Sequence, residues 1–265
     1  MNISHQDIAL TGAQNLVECL RQQDVKHAFL VPGESYLAVL DALTDAPEIK
    51  LTVCRQEGGA AMMAAASGKL TGRPGICMVT RGPGATNASA GLHIARQDAI
   101  PMILFVGQVA RDMREREAFQ EIDYRRMFGQ VAKWVAEVDS PDRMAEMVSR
   151  AFQVAMSGRP GPVVLALPED MLTELATTPV SNLGAATPPR ATITVHDADQ
   201  LLNTLATATA PLIIVGGGVW SDKARVDLET FAEKWAIPVA ASFRCQDYFD
   251  NEHPCYAGDS GIGIN

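Results

Sequence analysis

Five short runs of apolar residues dominate the pattern of this chain: 28–31, 51–53, 75–80, 101–108 and 163–167. None alternates apolar with polar residues, and stretches with helical spacing lie between them. A strand covered on one face shows period-two alternation. A continuously apolar strand, as in Ile76-Cys77-Met78-Val79, is covered on both. The alternation of such strands with helices predicts an α/β fold, a parallel sheet flanked by helices on each side.

Helical spacing of apolar residues predicts helices over 11–20, 36–43 and 144–156. Another is expected over 60–66, where Ala60-Ala61-Met62-Met63-Ala64-Ala65-Ala66 forms a row of small and apolar residues. Small side chains let other backbones or a flat ligand approach closely. Glu57 stands just ahead of this row and just past a strand. That places a carboxylate at the helix N-terminus, on the sheet edge where open α/β folds hold their ligands. By itself the stretch favours the plainer reading, an acid that complements the helix dipole. A second strand-to-helix junction, Thr80-Arg81-Gly82-Pro83-Gly84-Ala85-Thr86-Asn87, has the glycines of an anion site but lacks the Gly-Lys-Ser/Thr ending of a P-loop.

From 173 to 190 the composition shifts to Thr, Pro, Ser and Ala, the signature of a linker. It separates a first domain over 1–172 from a second unit over 191–265. The second unit begins in a Rossmann-like way: a helix over 198–205, a strand over 211–215, Gly216-Gly217-Gly218, a helix over 222–235 and a strand over 237–240. Two strands cannot cover a sheet, so the chain reads as a truncated piece of a longer protein. Charge and composition narrow the classes further. A formal charge of −9 disfavours a nucleic-acid surface, and no apolar run is long enough to span a membrane. The first seven residues lack the basic and apolar regions of a signal peptide. Five cysteines without a CxxC pair suit a reducing cytoplasm.

Several segments, taken in order, resemble the thiamine diphosphate enzymes and, within them, the acetolactate synthase group. They are Arg55-Gln56-Glu57-Gly58-Gly59-Ala60-Ala61, Arg81-Gly82-Pro83-Gly84-Ala85-Thr86-Asn87, Asp98-Ala99-Ile100-Pro101 running to Gly107-Gln108-Val109, Ala118-Phe119-Gln120-Glu121-Ile122-Asp123, and Gly158-Arg159-Pro160-Gly161-Pro162-Val163. The resemblance implies a complete N-terminal pyrimidine-binding domain, the start of a central domain and no diphosphate-binding domain. It implies that Glu57 shares a proton with a pyrimidine ring nitrogen of thiamine diphosphate, whose thiazolium is the electron sink for decarboxylating a 2-oxo acid and joining the fragment to a second carbonyl. Pro32, Gly33, Thr80, Pro83, Asn87 and Gln120 would contact the cofactor or shape its pocket. Gln108 and Gln120 would face the reacting carbons. The other chemistries the resemblance leaves open are a decarboxylase, a lyase and a glyoxylate carboligase. The chain as given would be an inactive cofactor-binding or dimerisation module.

Mg²⁺ would be held by a C-terminal domain: Gly258-Asp259-Ser260 with Asn265 has the wrong residues and spacing for the family's metal motif, so no metal ligand is named here. FAD occurs in some relatives, but Ser221 breaks the dinucleotide-binding pattern at the triple glycine. The family's active sites form between chains, which implies a homodimer or homotetramer acting on a small-molecule substrate. Gln56, Glu34-Ser35 and Val31 depart from its usual residues and leave substrate identity open.

Overall fold

A computed structural model describes residues 9–189 and 191–262. The expectations for the first seven residues and for Asn265 lie outside the described residues. The chain divides into two compact units, Met1–Pro188 and Pro189–Asn265.

The first unit runs α1 (Gly12–Gln22), β1 (His27–Leu30), α2 (Leu37–Thr44), β2 (Lys50–Val53), α3 (Glu57–Thr71), β3 (Gly75–Val79), α4 (Pro83–Gln97), β4 (Met102–Gln108), α5 (Tyr124–Phe128), β5 (Trp134–Glu137), α6 (Met144–Met156), β6 (Pro162–Pro168) and α7 (Glu169–Thr173). Its six strands form one sheet in the order β2-β1-β3-β4-β6-β5, with every neighbouring pair parallel. Successive residues of each central strand enter opposite cores. Ile103 and Phe105 pack with α1, α2 and α6, while Met102, Leu104 and Val106 pack with α3 and α4. Both faces of the central strands are therefore apolar, which is why their runs show no alternation; the 51–53 run departs from this, since β2 is an edge strand with no buried residue and Val53 is 64% exposed.

Small residues set the helix layer over the second face. A Cβ added to Gly91 of α4 would lie 2.4 Å from the Cβ of Ala61 in α3, and one added to Gly75 would lie 1.8 Å from the carbonyl oxygen of Ala64. The alanine row thus serves helix-to-helix and helix-to-strand contact. β5 was not expected from the sequence. It is a four-residue edge strand with only Ala136 buried, so it lacks the apolar run of its neighbours.

The segment read as a linker is bound to the first unit over most of its length. Asp142 accepts hydrogen bonds from the amides and hydroxyls of Thr177 and Thr178 at 2.8–3.0 Å. Arg73 donates to the carbonyl of Ala186, and the Gln23 side chain accepts from the Ala186 amide. Composition could not show this, because the partners lie far away in sequence. The Thr177 hydroxyl and the Thr178 amide are the main donors holding the Asp142 carboxyl below its ordinary range. The tie is therefore present above the usual carboxylate pKa and is lost as pH falls through the lowered value. Asp142→Ala is expected to expose residues 177–188 to protease at neutral pH while α6 stays protected; peptide mapping of the cleavage products checks this.

The second unit contains α8 (Val195–Thr207), β7 (Ile213–Val215), α9 (Asp222–Trp235), β8 (Val239–Ala241) and β9 (Tyr256–Asp259). Its sheet has three parallel strands in the order β7-β8-β9, one more than expected. β9 carries Gly258 and Asp259, both poor strand formers, which hid it in the sequence. Val215, Val239 and Ala241 pack against Ala232 of α9 and Phe249.

Candidate cofactor site

The order of the sheet reverses at β1, which feeds β2 on one side and is flanked by β3 on the other. Open α/β sheets hold ligands in the crevice beyond the C-terminal ends of strands at such a point. Four loops meet there, those following β1, β2, β3 and β4.

Gln56 caps α3, its side-chain oxygen accepting from the Gly59 amide at 2.8 Å. The cap fixes where the helix begins and so where Glu57 projects. Glu57 is half-buried. Its Oε2 accepts a hydrogen bond from Asn87 Nδ2 of α4 at 2.9 Å. Among the described residues, Oε1 has no hydrogen-bond partner. A Cβ added to Gly84 would sit 3.6 Å from Oε1 and 2.9 Å from Thr80 Cγ2, so Gly84, Thr80 and Glu57 share one small space. Gly33 reaches the same place from β1, since a Cβ there would lie 2.3 Å from the Cβ of Thr80.

The loop after β4 closes the other side. Gln120 has a left-handed backbone, φ +65°, and its Cβ lies 2.6 Å from where a Gly82 Cβ would stand. The Gly82 amide donates to Tyr124 Oη at 3.0 Å. Burial pushes the Tyr124 phenol up to about 12, so it is neutral at physiological pH. Pro32 and Pro83 lie exposed beside Gly33 and Gly84. Glu57, Gly33, Thr80, Asn87, Pro32, Pro83 and Gln120 are therefore brought to one sheet edge.

Gln108 is placed differently. It is only 4% exposed, its Nε2 donates to the carbonyl of Ile122 at 3.0 Å and its Oε1 accepts from the Val109 amide at 2.9 Å. It lines a separate cavity of about 360 Å³ together with Arg114 and Glu137. Both ends of the amide hold the loop rather than face the Glu57 crevice. Removing a partner from buried backbone groups costs about 1–3 kcal/mol. Gln108→Ala is accordingly expected to lower stability by about that amount, read by denaturant titration, and to loosen the loop that carries Gln120.

Sequence reasoning missed four residues that build the edge. Ser35 is fully buried; its Oγ shares a hydrogen bond with Thr80 Oγ1 at 2.8 Å and accepts from the Arg81 amide at 3.1 Å. Arg81 pairs with Glu34 and Glu169. A lone arginine two residues past a wholly apolar strand was the one available signal, because such a position demands partners for its charge.

A parallel α/β sheet with a carboxylate, an amide and close-packed glycine loops at its switch point is the arrangement in which open α/β folds hold ligands. Residues 10–127 match the family model described as thiamine pyrophosphate enzyme, N-terminal TPP binding domain, and residues 198–265 match the central domain of the same enzymes. The chain belongs to the thiamine pyrophosphate enzyme family. It is 35% identical over 260 residues to an acetolactate synthase of Arthrospira platensis, covering 96% of this chain and 45% of that one. It is also 35% identical over 255 residues to the acetolactate synthase isozyme 1 large subunit of Escherichia coli, covering 95% and 44%. A Bacillus subtilis acetolactate synthase matches at 37% over 207 residues, covering 77% and 36%. The chain thus spans less than half the length of these relatives. No helix among the described residues is long and apolar enough to cross a membrane.

Proposed function

We propose that this chain supplies the pyrimidine half of a thiamine diphosphate site in an acetolactate synthase-like enzyme. That enzyme decarboxylates a 2-oxo acid and joins the fragment to a second carbonyl. The observation that carries the reading is the state of Glu57: one carboxylate oxygen held by Asn87, the other without a partner and facing glycine-lined space. An acceptor in that position suits a protonated ring nitrogen. The missing side chains at Gly33 and Gly84 leave the loops close enough to grip a flat heterocycle. When bound, the cofactor supplies the electron sink that 2-oxo acid decarboxylation requires.

Within this reading each residue has a task. Glu57 would share a proton with the ring nitrogen through Oε1, and Asn87 orients its carboxyl group. Thr80, Pro32 and Pro83 wall the pocket. Gln120 stands over it on the substrate side, and Gln108 secures the loop that carries Gln120. Mg²⁺ and the diphosphate ligands would come from a domain that the relatives' extra length accommodates, and the complete site from a homodimer or homotetramer in the cytoplasm. Val53, Met62 and Met63 leave apolar surface beside Glu57 that such an assembly would cover.

The test is CO₂ release from pyruvate by the protein with thiamine diphosphate and Mg²⁺, followed by product analysis. Acetolactate is the expected product. Acetaldehyde, or product only from glyoxylate, would reassign the protein within the family. CO₂ release independent of added cofactor, from protein stripped of it, would overturn the reading. Cofactor binding without turnover would identify the chain as a binding module, in line with its coverage of under half of its relatives.

A further inference from the structure

Arg81 joins several loops at the sheet edge, and the proposed function gives it no task. Only 8% of the residue is exposed. Its Nη2 donates to Glu34 Oε1 at 3.0 Å, in the loop after β1. Its Nη1 donates to Glu169 Oε2 at 2.9 Å, in the first turn after β6. Its Nε donates to the carbonyl of Phe119 at 3.1 Å, in the loop after β4. One guanidinium thus links three strand-to-helix junctions to the one it stands on. The planar fork of arginine is what makes this possible, since its donors diverge in fixed directions.

The loop it holds carries unusual backbone. Glu115, Glu117 and Gln120 all have positive φ, at 59°, 52° and 65°. Non-glycine residues in this region are held there by their surroundings. Glu121 ties the loop from within, accepting from the amides of Glu115 at 2.7 Å and Ala118 at 3.1 Å. Arg81 donates to Phe119 and Tyr124 accepts from the Gly82 amide, so the chain on either side of Gln120 is bonded to the loop after β3.

We propose that Arg81 is a positioning residue: it clamps the Phe119–Gln120 turn onto Gly82 and so sets where the Gln120 side chain stands. With Glu34 and Glu169 both paired to it, Arg81 is engaged by the protein and is not a free cation for an anionic substrate. The clamp is a statement about the fold; its consequence for the cofactor, through Gln120, rests on the function proposed above.

Two measurements on the full protein test it. Hydrogen exchange read by mass spectrometry should show residues 115–122 exchanging at least about tenfold faster in Arg81→Lys than in the wild type, because one ammonium cannot span three loops. β4 and β6 should exchange as before. Should Arg81→Lys fail to fold, Glu169→Gln, which keeps the arginine but weakens one arm, should speed the same peptide severalfold. Wild-type exchange of residues 115–122 in these variants, or uniform acceleration across the first unit, overturns the proposal. The second measurement is thiamine diphosphate affinity in the wild type, Arg81→Lys, Gln120→Ala and the double variant. If Arg81 acts through Gln120, the double variant binds no more weakly than the weaker single one; losses that multiply reject that link. A wild type that binds no cofactor counts against the proposed function and leaves the exchange result to decide the clamp.

Discussion

Under the proposed function, turnover is expected to fall by about 10²–10⁴-fold in Glu57→Gln, with the protein still folded. Glutamine keeps the size of the side chain and an oxygen that can accept from Asn87 Nδ2. What it loses is the ability to hold and release a proton at Oε1. Structural cost and chemical cost therefore separate at this position. Glu57 is half-buried in the first turn of α3, where a negative charge favourable to the helix dipole contributes about 0.3–1 kcal/mol. The capping bond belongs to Gln56 and survives the change. Thermal unfolding should move by only a few degrees. Asn87→Ala should give a smaller loss, since it frees the carboxylate to turn without removing it. Near wild-type turnover in Glu57→Gln would remove the acid from the mechanism and with it the central assignment of the site.

Gly107→Ala is expected to destabilise the first unit by about 1–3 kcal/mol, the range for overpacking a filled interior. A Cβ on Gly107 would lie 2.0 Å from Ser35 Oγ and 2.8 Å from the Ser35 carbonyl carbon. The hydroxyl cannot simply rotate away, because it is engaged by Thr80 Oγ1 and the Arg81 amide. The loop after β1 must therefore shift, carrying Gly33 off Thr80 and widening the crevice, so cofactor binding should weaken together with stability. Ser35→Gly supplies the control. It removes the oxygen nearest the new methyl but leaves backbone in the way, so the double variant should lose less than the sum of the two single changes. Denaturant titration of all four proteins reads the coupling; strictly additive losses would show that Gly107 and Ser35 do not meet.

These two positions show how differently parts of the site were legible beforehand. Glu57 could be found because its setting is local. A carboxylate between a strand and a row of alanines is unusual in seven consecutive residues, and helix periodicity fixes which end of α3 it occupies. Gly107 drew no notice as a packing position, because nothing near it in sequence mentions Ser35. Gln108 and Gln120 were alike as sequence features, both polar residues at the end of an apolar or loop segment. The structure separates them: Gln108 is 4% exposed and turned to the Ile122 carbonyl, whereas Gln120 abuts Gly82 beside Thr80 and Glu57.

Most of the order of helices and strands (β5, β9 and the short α5 and α7 excepted), the central strands buried on both faces and the placing of Glu57 at a strand end follow from residue spacing. Periodicity and volume act over one or two helical turns and need no knowledge of the rest of the chain. Which loops touch, what binds the 177–186 stretch to the first unit and which side chain holds the edge together were settled only by folding. Arg81 and Glu169 are 88 positions apart, Arg73 and Ala186 are 113 apart. A charge or a carbonyl acquires its partner only when the parallel sheet has brought distant loops to one edge, and that proximity belongs to the topology rather than to any local stretch of residues.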